Sequence, residues 1–149
     1  MAIALTGAVT HLGVQARRAT GRYRADSRNP YVYAHTSTDF MKLVHRIDDV
    51  QACQDDGRRL PIHVIAPAEE QWPLPFYLRH CPNVGFWPTP EGAASDAPPF
   101  VIASLQFEEA VRERLGDAYM IEFYGLRPDV LLSLWIRRDV WDRFMATRR

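Results

Sequence analysis

Cysteine, lysine and phosphate-binding glycine loops are scarce or missing in this chain of 149 residues, and each gap removes a class of function. Cys53 and Cys81 are the only cysteines; they form no CxxC pair and have no histidines at ligand spacing, so a zinc site has no ligand set. They can pair as one disulfide in an oxidising compartment or stay as two free thiols, and the sequence leaves both open. The eight glycines never form GxGxxG or GxxxxGK, which removes the phosphate cradles of nucleotide-binding loops. The five histidines (His11, His35, His45, His63, His80) show no HxxH, HxxxH or facial-triad spacing, and no metal or cofactor is expected. Charge of one sign is not in excess either: 18 basic and 18 acidic residues cancel, which argues against a nucleic-acid binder that works by bulk positive charge.

What is present fits a globular chain. An apolar content of 47% excludes disorder, and the length suits one domain that buries roughly 68–70% of its unfolded surface. Lys42 is the only lysine; every other base is arginine. Arg17, Arg18, Arg22, Arg24 and Arg28 crowd the first 28 residues against one acid, Asp26, so neutrality conceals a basic N-terminal arm. Before it lies a mildly apolar stretch, residues 2–14 (AIALTGAVTHLGV), shorter than the about 20 apolar residues of a membrane span. A secretory signal puts its charge before the apolar run, and here the charge follows. Two readings stay open: an N-terminal helix packed on the domain, or the cut end of a transmembrane helix. The expected division is an arm over 1–28 and one α/β domain over 29–149.

Along the domain, Asn29-Pro-Tyr-Val-Tyr33 reads as extended, because the residue before proline is pushed out of the helical region. Phe40, Leu43, Val44, Ile47 and Val50 repeat at the spacing of one buried helix face, with Ser37, Thr38 or Asp39 as cap. Residues 60–66 (LPIHVIA) predict a strand covered on both faces, and Pro73 and Pro75 suit the first turn of a helix. A second, weaker strand is expected at 83–87, a surface loop at 88–99 and a third strand at 100–104. A helix then buries Phe107, Ala110, Val111 and Leu115 and stops at Gly116. Residues 119–124 and 130–137 predict an antiparallel hairpin joined by Gly125-Leu-Arg-Pro-Asp129, and Asp139 can cap a last helix. Strand-helix alternation followed by a hairpin predicts an α/β layered sandwich: about five strands in a mixed sheet, the parallel strands first, with helices on both faces. Ligands in such folds bind beyond the carboxyl ends of the strands, here residues 67–72, Ser104 and the loop after Trp87.

Few residues there suggest chemistry. Ser104 lacks the flanking glycines of a nucleophile elbow, and its expected role is to cap the next helix. Glu69 and Glu70 beside Trp72 can bind a sugar by hydrogen bonds and stacking, or they can simply complement a helix start as surface charges. His63, on an apolar strand, is expected as a hydrogen-bonded core residue. His80 beside Cys81 is not preorganised as a thiol-imidazole pair, since helical neighbours point about 100° apart.

Four blocks together resemble one family: Asn29-Pro-Tyr-Val-Tyr-Ala-His-Thr-Ser37, Gln71-Trp-Pro-Leu-Pro-Phe-Tyr-Leu-Arg79, Pro82-Asn-Val-Gly-Phe-Trp87 and Tyr124-Gly-Leu-Arg-Pro-Asp-Val-Leu131. They are similar, over residues 15–147, to the C-terminal soluble region of polytopic, glycosyltransferase-like membrane proteins described as flippase-activity-associated, relatives of mannosyltransferases that use polyprenyl-phosphate sugars. The resemblance implies that residues 2–14 end the last transmembrane helix and that the domain lies outside the cytoplasmic membrane. It also implies that the catalytic acid belongs to an early membrane loop, so no catalytic residue falls in this chain. An arginine cluster beside a membrane helix is usually cytoplasmic, which runs against that topology. The expectation is a non-catalytic domain that recognises a glycan acceptor or a donor headgroup through Tyr33, His35, Glu69, Glu70, Trp72 and Arg79. Its expected partners are its own membrane part, a lipid-linked sugar or glycan, and the membrane surface through Arg17, Arg18, Arg22 and Arg24. The alternatives are a structural module that packs on its membrane part or self-associates, and a free-standing enzyme with a pocket beyond the strand ends.

Overall fold

The computed structural model describes residues 2–18, 37–93 and 96–148. The elements run α1 (Ala2–Arg17), α2 (Thr38–Ala52), β1 (Ile62–Ile65), α3 (Ala68–Gln71), α4 (Leu74–Tyr77), β2 (Val84–Trp87), β3 (Phe100–Ser104), α5 (Glu108–Leu115), β4 (Tyr119–Arg127), β5 (Val130–Arg137) and α6 (Arg138–Ala146). The five strands form one mixed sheet in the order β2-β1-β3-β5-β4. β1 pairs in parallel with β2 and β3, whereas β5 is antiparallel to both β3 and β4. The expected fold class is therefore the observed one.

The two faces of the sheet are covered unequally. On one face Phe40, Leu43 and Ile47 of α2 and Val140 and Phe144 of α6 pack against Ile62, Val64, Phe100, Ile102, Leu132, Leu134 and Ile136. The predicted face of α2 is buried in full, and Ser37 is its cap: the Oγ accepts from the Asp39 amide at 2.9 Å. On the other face α5 contributes one fully buried side chain, Val111, to a smaller cluster with Val101, Ala103, Tyr119 and Trp135.

Four local expectations are corrected. Ala110 is exposed, because the face α5 turns to the sheet is only one residue wide. The hairpin loop is shorter than the sequence suggests: β4 runs on through Gly125 and Leu126 to Arg127, with a register shift between Gly125 and Arg127 and Pro128-Asp129 at the turn. The shift leaves Leu126 as the unpaired bulge residue between the Gly125–Leu131 and Arg127–Val130 pairs, and Asp129 takes the left-handed conformation at φ 65°. Ser104 takes the N-cap position of a 3-10 turn over Leu105–Phe107 rather than of α5, whose N-cap is Phe107, and its side chain makes no capping hydrogen bond. Asp139 is not a cap either: it lies inside α6, and its carboxylate accepts from Arg137 Nε at 2.7 Å and Nη2 at 3.0 Å.

Candidate functional site

The parallel strands β1 and β3 end at the same edge of the sheet, and the β4–β5 turn reaches that edge from the other side because Ser104 is registered with Leu132. A cavity of about 240 Å3 lies there, lined by Glu70, Ser104, Leu105, Gln106, Asp129, Val130 and Leu131. Its walls come from three segments far apart in the chain, each locked locally. α3 starts on Pro67, whose carbonyl accepts from the Glu70 and Gln71 amides at 2.8 and 3.1 Å. The Gln71 side-chain amide donates back to the Ala66 carbonyl at 2.8 Å, and Arg127 reaches from β4 to the Glu69 carbonyl at 2.8 Å. Gln106 donates to Ser104 Oγ at 3.3 Å.

The hairpin wall is held by a clasp from α2. Ser37 Oγ donates to the Gly125 carbonyl at 2.8 Å, the Gly125 amide donates to Asp39 Oδ2 at 2.9 Å, and the Ser37 amide donates to the Leu126 carbonyl at 2.9 Å. The Gly125 amide, together with the Lys42 ammonium, holds the Asp39 carboxyl below the usual carboxylate range.

The lining of the cavity mixes polar and apolar side chains. Glu70 and Asp129 bring two carboxylates, Ser104 a hydroxyl and Gln106 an amide, while Leu105, Val130 and Leu131 supply an apolar wall. Among the described residues no histidine and no basic side chain lines it. Glu70 Oε2 is shut off from solvent and has no hydrogen-bond partner there. A buried acceptor without a donor is costly, and closure to solvent also keeps this oxygen from anything that enters the cavity.

Of the four residues picked from the sequence that the structure describes, Glu70 alone lines the cavity. Glu69 is exposed on the same turn, with its carbonyl engaged by Arg127. Trp72 follows immediately after α3 and is 56% exposed, as an uncommitted stacking surface would be. Arg79 is not brought to the cavity: it donates to the Phe76 carbonyl and lies over the Phe76 ring at 4.3 Å. Tyr33 and His35 lie outside the described residues, as do Arg22 and Arg24. The cavity residues that the sequence does not point to are Leu105, Gln106, Asp129, Val130 and Leu131, whereas Ser104 falls on the strand-end edge where a ligand is expected.

Other titratable groups serve the framework. His63 is buried against Trp87, ring centroids 4.4 Å apart; burial lowers its pKa, Asp96 opposes and Arg114 adds to the lowering. With the imidazole neutral, the 3.8 Å approach to Asp96 is not an ion pair, and the expected hydrogen bond is replaced by ring packing. His80 bonds Asp48 at 3.0 Å while the Cys81 thiol contacts Gln51 Oε1 at 3.6 Å, so the two neighbours belong to separate pairs. Burial raises the Cys81 pKa, which makes it a poor nucleophile, and both cysteines are free. Among the described residues no group of three or more His, Cys, Asp or Glu side chains is placed to hold a metal ion.

Along α1, residues 6–17 are exposed, including Val9, Leu12 and Val14, and Arg17 closes the helix with Arg18 next to it. No described helix is long and apolar enough to cross a membrane. Comparison with protein-family models, with curated proteins and with solved structures returned no match to this chain.

Proposed function

We propose that this chain is a non-catalytic recognition domain of a glycosyltransferase-like membrane protein, and that it binds a glycan at the cavity on the carboxyl edge of its sheet. The observation that carries the reading is a cavity of about 240 Å3 beyond the strand ends, lined by Glu70, Ser104, Gln106 and Asp129 beside Leu105, Val130 and Leu131. Pockets for drug-sized ligands run from roughly 300 to 1,000 Å3, so this one suits a single sugar unit. Two carboxylates, a hydroxyl and an amide match the several hydroxyls of such a unit, and Trp72 offers a ring face just beyond α3. Support for a non-catalytic role is that the one hydroxyl in the cavity, Ser104, faces Gln106 rather than a general base. An apolar α1 that closes on Arg17 and Arg18 suits anchorage at a membrane, with the arginines at the headgroup level.

The test is an amide chemical-shift titration of the full chain with a panel of mono- and oligosaccharides at millimolar concentration. Expected are shifts confined to Glu70, residues 104–106 and residues 129–131, weakened in an E70A/W72A double variant that retains its circular dichroism. A panel in which no sugar moves those amides overturns the assignment. A second reading, a module that packs on a partner surface, is favoured by the exposure of Leu105, Phe123 and Leu131 at 40%, 51% and 46%. Concentration-dependent shifts at those three residues without any sugar would select it.

A further inference from the structure

β4 stands last in the strand order, so its far side is a free edge of the sheet. The ladder decides which of its backbone groups face outward. The Arg137 amide donates to the Pro99 carbonyl on the β3 side, so Tyr119, its partner in register, turns its own N–H and C=O away from β5. Alternation gives Ile121, Phe123 and Gly125 the same direction, and the Gly125 amide does bond outward, to Asp39 Oδ2 at 2.9 Å. Among the described residues nothing hydrogen-bonds the outward backbone groups of Tyr119, Ile121 or Phe123. The clasp from Ser37 and Asp39 closes this window at Gly125, and a 3-10 turn over Gly116–Ala118 closes it before Tyr119. Exposed edges are commonly protected by lysine, proline or a bulge, yet residues 119–123 (YMIEF) contain neither residue type and the bulge comes later, at Leu126. Phe123 stands in the window 51% exposed.

We infer that this edge pairs with the same edge of a second copy, antiparallel about a two-fold axis at Ile121, so that two chains share one continuous sheet. With the axis there, Tyr119 falls opposite Phe123 of the second copy, and every outward residue of the window enters a pair that exchanges two hydrogen bonds. Glu122, whose carboxylate accepts from Arg46 at 2.9 Å and Tyr124 at 2.6 Å, falls opposite Met120. An axis at Glu122 opposes two carboxylates instead, and an axis at Met120 leaves Phe123 without a strand partner. Charge favours the Ile121 register too. Asp117, an exposed acid, falls opposite Gly125 of the second copy, where α2 begins and Asp39 holds the exposed Lys42 ammonium at 2.9 Å. A single short edge buries less than the roughly 1,200 Å2 of a standard interface, so the expected dissociation constant is about 100 μM. No cavity residue takes part, so the pairing is independent of the glycan reading.

Sedimentation equilibrium of the full chain between about 10 μM and 1 mM should show the mean mass rising from 17.1 kDa towards twice that value. Over the same range, amide exchange should slow at Tyr119, Ile121 and Phe123 and stay constant at Met120, Glu122 and Tyr124, which already bond β5. F123K puts a charge on the edge and should leave a monomer at about 1 mM with unchanged circular dichroism. D117K, at an exposed position, sets a second cation near Lys42 and should weaken the dimer about fivefold. A mass that stays at one chain up to about 1 mM overturns the inference. So does a dimer that protects other amides, one that also shifts Leu105 and Leu131 on the cavity side, or one that keeps its affinity in either variant.

Discussion

Replacing Ser37 with alanine should loosen the hairpin that walls the cavity, and the size of the effect follows from two bonds made by one oxygen. Ser37 Oγ accepts from the Asp39 amide at the start of α2 and donates to the Gly125 carbonyl of β4. Loss of a serine N-cap costs about 0.5–2 kcal/mol, and a further hydrogen bond contributes roughly 0.5–1.5 kcal/mol. The site is only partly buried, so water recovers some of that, and a total of about 2 kcal/mol is expected. With an m-value of about 2 kcal/mol per M urea, the unfolding midpoint should fall by about 1 M while the slope stays unchanged. The Gly125 amide, bonded to Asp39 Oδ2 in the same clasp, should lose hydrogen-exchange protection at the same time. A midpoint shift worth less than about 0.5 kcal/mol, with Gly125 still protected, refutes the idea that this hydroxyl couples α2 to the hairpin.

Two other outcomes follow from buried polar groups. Trp135 is fully buried and donates from Nε1 to Ser133 Oγ at 2.9 Å, which itself donates to the Ala103 carbonyl at 3.2 Å. S133A strands the indole N–H in a dry interior and should cost about 1–3 kcal/mol by chemical denaturation, far more than a surface Ser→Ala change. The pKa of His63 is lowered on folding, so the unfolded chain binds the proton more readily. Its contribution is intact above its unfolded value of 6.5, and stability declines as pH falls from there towards the folded pKa. Urea midpoints measured between neutral and mildly acid pH should show that decline, and it should flatten in H63L; an unchanged slope counts against a neutral buried imidazole.

The parts of the fold that were legible are those with a repeat. Phe40, Leu43, Val44, Ile47 and Val50 announce α2 because a helix buried on one side must repeat every three to four residues. Phe100 to Ser104 and Ile62 to Ile65 show as β-branched, apolar runs because β1 and β3 are covered on both faces. The hairpin end was not legible because a glycine ahead of Pro-Asp is ordinary turn chemistry, whereas the ladder with β5 pairs Gly125 with Leu131 and continues past a bulge at Leu126. Ser104 misled because nothing local reveals that a 3-10 turn intervenes before α5. The cavity was legible only by its edge, from the rule that ligands sit beyond strand ends. Its composition was not, since Glu70, Gln106 and Asp129 meet through the β1–β3 and β3–β5 registers, a long-range property with no signature at any one residue. Arg79 shares a sequence block with Trp72, but the Phe76 carbonyl and ring hold its guanidinium.

The unequal covering of the sheet has a bearing on motion. Free energies of local opening follow buried apolar contact, and α5 is held by Val111 with only partial help from Phe107 and Leu115. Of the helices that cover the two faces of the sheet, α5 is thus more easily detached than α2. Leu105 and Gln106 sit on the turn that leads into it, whereas Asp129 and Leu131 are anchored to the hairpin. One wall of the cavity is therefore hinged and the other fixed, so a ligand that bridges them would register as slower amide exchange along α5 rather than as a shift in the sheet.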